Sequence, residues 1–298
     1  MLGMRGVSWV GSVMCAVLAS GCGAELPEES TPLAEVREEL INGTPATSAE
    51  FPATGAVLVR RRVGLTYVYE PQCTGTLITP TVVLTAAHCL QGYSASVLFF
   101  TLDADANNTT ASTRVGAYWA LVHPDYTGDA WYDFGLMYLN ASPGGAVAPL
   151  ATPVENGTVG PGTPTWLVGY GYTYFMNGGV YGYKYKGAAS VAFANPMWLD
   201  MSPPSQGASN CHGDSGGPAY ITRGGQPNAI IGVVHGALQG NSNCALGANF
   251  SRTGTSLPWL HRNVLLTCDS GLPCDQRCGD ERCDPAFENA SSCSYDCH

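Results

Sequence analysis

Short apolar or alternating runs recur along the middle of the chain, at Thr54–Val59, Thr66–Tyr69, Thr81–Thr85, Ser96–Leu102, Tyr118–Val122, Phe134–Leu139, Thr165–Tyr170, Ser190–Phe193, Pro218–Thr222 and Ala229–Val234. Gly, Pro and Asn punctuate them. Period-two or continuous apolar patterning of this length is what strands require, because alternate side chains point to opposite faces of a sheet. The pattern predicts an all-β domain, and the strand count alone suits a barrel or a sandwich equally. Pro143–Gly162, rich in turn residues, reads as a connection between two sets of strands.

The flanks break the pattern. Arg5 precedes an apolar run from Val7 to Ala19, too short to cross a bilayer and ending in small residues, so residues 1–22 read as an export signal. Leu18-Ala19-Ser20-Gly21-Cys22 resembles a bacterial lipobox, in which Cys22 becomes the acylated mature N-terminus; Ala19 stands where Leu is commoner, and simple cleavage and release remains the alternative. Residues 23–39 follow as a propeptide or linker. Within them Glu25–Glu39 carries six glutamates and two prolines and is too polar to build a core. After about residue 267 the composition changes again, with six cysteines (Cys268, Cys274, Cys278, Cys283, Cys293, Cys297) in the last 31 residues.

Composition narrows the function classes. A net charge of −10 without basic clusters argues against nucleic acid as a partner. No phosphate-cradling loop or dinucleotide fingerprint is present, so no cofactor is expected. Of the twelve cysteines, Cys15 and Cys22 fall within the signal, and the ten that remain in an exported chain are expected as disulfides; with 37 glycines and 20 prolines the chain should hold many turns and few long helices. In the tail the cysteines do not form paired Cys-x-x-Cys hooks, which favours three disulfides over zinc. The acids Asp275, Asp280, Asp284, Glu288 and Asp296 read as solvated rather than as calcium ligands. No metal is expected.

The candidate chemistry lies in three separated strings. His88 falls in Leu84-Thr85-Ala86-Ala87-His88-Cys89. Asp133 precedes the apolar Phe134-Gly135-Leu136-Met137, as burial of an orienting carboxylate requires. Ser215 lies in Gly213-Asp214-Ser215-Gly216-Gly217-Pro218. A serine hydroxyl is a weak nucleophile until an imidazole takes its proton and a carboxylate orients that imidazole, and these strings supply all three groups in the order His, Asp, Ser. Asp125 and Asp129 compete with Asp133 for the third role but lack the apolar run behind it.

With Cys73-Thr74-Gly75-Thr76-Leu77-Ile78, Val122-His123-Pro124 and Cys211-His212, these blocks make residues 40–267 resemble the trypsin/chymotrypsin family of serine proteases. The resemblance implies two six-stranded antiparallel β-barrels with the site in the cleft between them, followed by the small disulfide-rich tail at 268–298. It implies an endopeptidase acting on protein or peptide substrates, with an oxyanion hole from the Gly213 and Ser215 amides. It pairs Cys73 with Cys89 and Cys211 with Cys244, while Trp166 and Leu199 stand where many relatives carry cysteine. Leu40-Ile41-Asn42-Gly43 resembles the family's activated N-terminus. A zymogen cut between Glu39 and Leu40 would then pair the new ammonium with Asp214, because a buried carboxylate without a cation is costly.

For the substrate pocket the resemblance implies Ser209 at the floor, where trypsin-like relatives that prefer Arg or Lys carry an aspartate, and Ala237 and Ala248 at the walls. Small or medium apolar side chains are expected before the scissile bond. His235 stands where relatives usually have serine, with Gly236 in place of tryptophan; it either bonds near Asp133 or reaches into the pocket, which would make a glutamyl endopeptidase. A catalytically weak binding protein on the same fold is the third option. Expected localisation is export from a bacterium, either secreted or held at the cell surface or outer membrane as a lipoprotein. The tail's partner is not indicated.

Overall fold

The computed structural model describes residues 40–173, 179–238 and 244–268, with side chains as far as 264 in the last stretch. The signal, Cys22, the propeptide with Glu39, and the tail beyond Cys268 lie outside these residues.

Among the described residues there are thirteen strands: β1 (Thr44–Pro45), β2 (Thr54–Val63), β3 (Thr66–Thr79), β4 (Val82–Thr85), β5 (Leu98–Thr101), β6 (Arg114–Val122), β7 (Gly135–Leu139), β8 (Pro164–Gly169), β9 (Tyr185–Ala194), β10 (Trp198–Met201), β11 (Pro218–Arg223), β12 (Gln226–Ala237) and β13 (Ala248–Arg252). All the pairings between these strands are antiparallel. The first barrel closes in the order β2-β3-β4-β7-β6-β5. The second runs β9-β10-β13-β12-β11-β8 and closes through β8–β9, where Leu167 faces Gly187; β1 pairs with the start of β9, at Tyr185 and Lys186. Closure removes free sheet edges from both halves. The expected fold class is thereby met.

Every run read as a strand from the sequence contributes to a strand, although β3 extends ten residues beyond Tyr69 to Thr79. Two barrel strands had no comparable signal. β10 is four residues long, and β13, Ala-Asn-Phe-Ser-Arg, carries polar side chains that donate to Asp200, the Ala130 carbonyl and the Asn195 carbonyl, all outside the segment. The expected connection Pro143–Gly162 falls between β7 and β8 and contains the short helix α2 (Pro153–Thr158). Its Thr152 and Glu155 form a reciprocal capping box.

Helix α3 (Thr253–Cys268) contrasts with the strand-dominated pattern. Leu257, Leu260 and Val264, spaced to share one face, are buried in a cluster with Leu84, Leu136 and Tyr138 of the first barrel. The chain thus leaves the second barrel and packs back on the first. That cluster also contains Val168, Tyr220 and Val233 from the second barrel. Burying each such side chain contributes about 1.5–3 kcal/mol.

Candidate active site

Three short segments bring the site together. Directly after β4, the one-turn helix α1 (Ala87–Leu90) buries Ala87, Cys89 and Leu90 and leaves His88 partly exposed. Cys89 is tied to Cys73 of β3 by a disulfide, which fixes the helix against its own barrel. A first-turn N–H has no partner inside a helix; that of His88 donates to Asp133 Oδ1 at 3.0 Å. Asp133 therefore caps the helix that carries the imidazole.

Asp133 is fully buried at the entry to β7. Tyr132 before it has φ +56°, a left-handed conformation uncommon for a bulky residue, and its ring stacks on His123 at 4.7 Å. The carboxylate's second oxygen, Oδ2, meets His88 Nδ1 at 2.7 Å and His235 Nδ1 at 2.5 Å. Burial pushes the Asp133 carboxyl up, yet the His235 and His88 hydrogen bonds outweigh it and hold the group below the usual carboxylate range. Since an ionised carboxylate offers no proton, both imidazoles donate from Nδ1, which leaves each Nε2 directed elsewhere.

Ser215 lies between β10 and β11, on a loop fastened to the first barrel. Thr74 N–H donates to the Ser215 carbonyl (2.8 Å), and the fully buried Thr74 hydroxyl donates to the Gly213 carbonyl (3.1 Å) and accepts from Tyr170 N–H (3.0 Å). Gly216, at φ +81°, sits so close that a Cβ there would collide with Thr85 Oγ1 and the Thr74 carbonyl. The Ser215 hydroxyl donates to the His235 carbonyl at 3.4 Å; among the described residues it makes no hydrogen bond to His88. Such contacts are often long before substrate arrives.

The loop also presents free donors. Gly213 has φ +93°, and among the described residues neither its N–H nor that of Ser215 donates to a protein acceptor. Asp214 between them is buried, its oxygens taking Gly171 N–H and Cys211 N–H at 2.8 Å each. Burial raises its carboxyl to about 7 against those two bonds and the nearby Asn210 amide. No Lys, Arg or His is ion-paired with it among the described residues.

The remaining predicted residues fall around this loop. Leu40 and Ile41 are buried, Leu40 in the second-barrel core and Ile41 against the Cys211–Cys244 disulfide, with the Ile41 carbonyl accepting from Ser209 N–H at 3.0 Å. Ser209 Oγ and both Asn210 amide atoms are buried without hydrogen-bond partners. Ala248 is buried and Ala237 half-buried, paired across β12 and β13. Of the two placements expected for His235, its side chain has the one beside Asp133. His88, Asp133 and His235 also offer metal-ligand atoms within 4.8 Å of one another, but both Nδ1 atoms are engaged with Asp133 Oδ2.

Sequence reasoning did not assign Thr74 a role. It stands beside Cys73 in the sequence, but only the fold reveals that its hydroxyl and amide join β3 to the Ser215 loop.

A two-barrel fold with an imidazole–carboxylate pair facing a serine loop defines a serine-protease-like protein. The chain belongs to the trypsin family, whose profile matches residues 40–260. It is 26% identical to human serine protease 56 over 83% of this chain and 44% of that protein, so it spans under half of that relative's length. It is 26% identical to mouse serine protease 28 over 64% of this chain and 77% of the relative. Glucanase inhibitor protein 3 of Phytophthora infestans is 25% identical over 63% of this chain and 76% of its own. Among solved structures, the VesB protease of Vibrio cholerae superposes with a TM-score of 0.59 over 74% of this chain and 67% of that one, at 20% identity. No helix among the described residues is long and apolar enough to cross a membrane.

Proposed function

We propose that this chain is an exported serine endopeptidase, made as a zymogen, that hydrolyses protein or peptide substrates through Ser215, His88 and Asp133. The observation that carries the reading is the 2.7 Å bond between His88 Nδ1 and buried, ionised Asp133, set against a loop that presents Ser215 with two unoccupied amide donors.

In this mechanism Ser215 Oγ attacks the scissile carbonyl carbon while its proton passes to His88 Nε2. The carbonyl oxygen gains the negative charge and is received by the Gly213 and Ser215 N–H groups. Collapse of the tetrahedral adduct breaks the C–N bond, and His88 returns the proton to the leaving amine. Water then repeats the sequence to release the acyl group from Ser215.

Activation follows from Asp214. A buried carboxyl pushed up to about 7 is a destabilised charge site, and an ammonium freed at Leu40 would supply its missing cation. Leu40 and Ile41 are already buried, Ile41 against Cys211, whose N–H donates to Asp214. N-terminal sequencing of the active species tests cleavage at Glu39–Leu40; an active enzyme that begins elsewhere removes this step. Mass measurement of the exported protein tests acylation at Cys22.

For specificity, Ser209, Ala237 and Ala248 support small or medium apolar side chains. The glutamyl alternative needs His235 in the pocket, and engagement of its Nδ1 by Asp133 weighs against that. Fluorogenic peptides differing only in the residue before the cut (Ala, Leu, Phe, Glu, Arg) should rank Ala and Leu first; fastest cleavage of the Arg peptide overturns the pocket reading.

The binding-protein reading draws on the relative named as a glucanase inhibitor and on the 3.4 Å contact of the Ser215 hydroxyl with a carbonyl. A fluorophosphonate separates the two. The protease labels at Ser215 after activation and loses its peptide hydrolysis; a folded, cleaved chain that takes no label is a binding protein.

A further inference from the structure

Asp133 Oδ2 accepts from two imidazoles, His88 at 2.7 Å and His235 at 2.5 Å, and the two rings stand edge to face with centroids 5.6 Å apart. One oxygen therefore serves the base of the proposed reaction and a second ring with no step assigned to it. His235 is held from both ends: its side chain is on Asp133 and its main-chain carbonyl receives the Ser215 hydroxyl.

We propose that His235 is a positioning residue that shares Asp133 with His88 and thereby keeps the base free of its proton to a lower pH than a lone His–Asp pair would. The inference rests on the endopeptidase reading. A carboxylate that already accepts a strong hydrogen bond has less charge to offer an imidazolium forming on the same oxygen. If His235 itself takes a proton, a second cation on His88 meets like charge across the shared oxygen. Both effects act in one direction. Two groups so close titrate as a unit, and the activity profile belongs to the pair.

The surrounding charges do not supply the same effect. In the loop leading to Asp133, His123 accepts Asp125 N–H through Nδ1 and is held low by burial, opposed by Asp125. Tyr126 is pushed up to about 12, first by burial and then by the Asp133 and Asp129 charges, and so stays neutral. On the Ser215 loop Asp214 is engaged by the Gly171 and Cys211 amides, beside exposed His212. Across β13, Asp200 accepts from the Asn249 amide at 2.6 Å.

The test is the pH profile of kcat/KM for the activated enzyme, with active sites counted by fluorophosphonate. His235→Ala should move the acid limb up by about one pH unit, a roughly tenfold loss of kcat/KM at the acid end relative to the plateau. His235→Gln, which keeps a neutral N–H donor but cannot take a proton, should fall between Ala and wild type. Superimposable acid limbs in wild type and His235→Ala overturn the inference, as does a limb that moves down. Should neither variant fold, proton NMR of the wild type decides: two low-field N–H resonances are expected above the acid limb, and a single one overturns the sharing. A wild type that takes no phosphonate label defeats the endopeptidase reading itself, a distinct outcome from a labelled enzyme with an unmoved limb.

Discussion

Ser215, His88 and Asp133 act as one unit in the proposed mechanism, with the proton moving between Ser215 and His88 while Asp133 orients the imidazole, so single removals should each cost most of the catalysis rather than a third of it. Ser215→Ala is expected to lower kcat by about 10⁴-fold or more and to abolish phosphonate labelling. Gly213 is more revealing, because it carries no functional side chain. Its φ of +93° is one that Cβ-bearing residues rarely adopt, and a Cβ there would run into the Tyr181 ring and the Gly171 Cα. Gly213→Ala should therefore turn the oxyanion donor and cut kcat by about 10²-fold or more, with KM nearly unchanged; steady-state kinetics on one peptide checks both numbers. The nucleophile, its base and the turn glycines were legible in the sequence, since each belongs to a compact string whose chemistry is local. The sharing of Asp133 by two rings was not. His88 and His235 are 147 positions apart, and only barrel packing sets both Nδ1 atoms on one oxygen.

At the scale of elements, β3 does the most to assemble the site. Its Cys73 anchors the helix bearing His88, and its neighbour Thr74 fastens the Ser215 loop through two hydrogen bonds while accepting a third from Tyr170 N–H. Thr74→Val keeps the shape but leaves the Gly213 carbonyl and Tyr170 N–H without a partner, which should cost about 2 kcal/mol in urea unfolding and slow phosphonate labelling. Replacing both Cys73 and Cys89 by serine opens a loop spanning 16 positions and should cost about 3 kcal/mol. The same unfolding measurement reads that loss, and equal stability of the two proteins would remove the disulfide from the account. Strands with a continuous apolar or alternating pattern announced themselves. β13 did not, because its Asn249 amide N–H and Ser251 hydroxyl donate to Asp200 and the Ala130 carbonyl, both distant in sequence. Nor did α3, whose apolar face is interpretable only against the first barrel and whose Pro258 and flanking Thr and Gly weaken any helical signal.

Across the whole molecule, the buried Asp214 couples folding to pH and to cleavage. Its carboxyl stands near 7 in the fold against 3.8 ordinarily, so between those values the folded chain keeps a proton that the unfolded chain has lost. The uncleaved chain is then most stable, for this group, below about pH 4, and loses on the order of 4 kcal/mol as the pH rises to about 7. Urea unfolding of the uncleaved Ser215→Ala chain from pH 4 to 8 should show that fall, and adding Asp214→Asn should flatten it. Equal slopes would detach Asp214 from the effect. The sequence by itself determined the strand-rich class and the identity of the His, Asp and Ser strings, because hydrophobic period and local motifs are properties of adjacent residues. Closure of two barrels, the grip of Thr74 on the Ser215 loop and the seating of two imidazoles on one Asp133 oxygen were decided only by the tertiary structure. Each depends on a distance between segments far apart along the chain, and on water excluded where they meet.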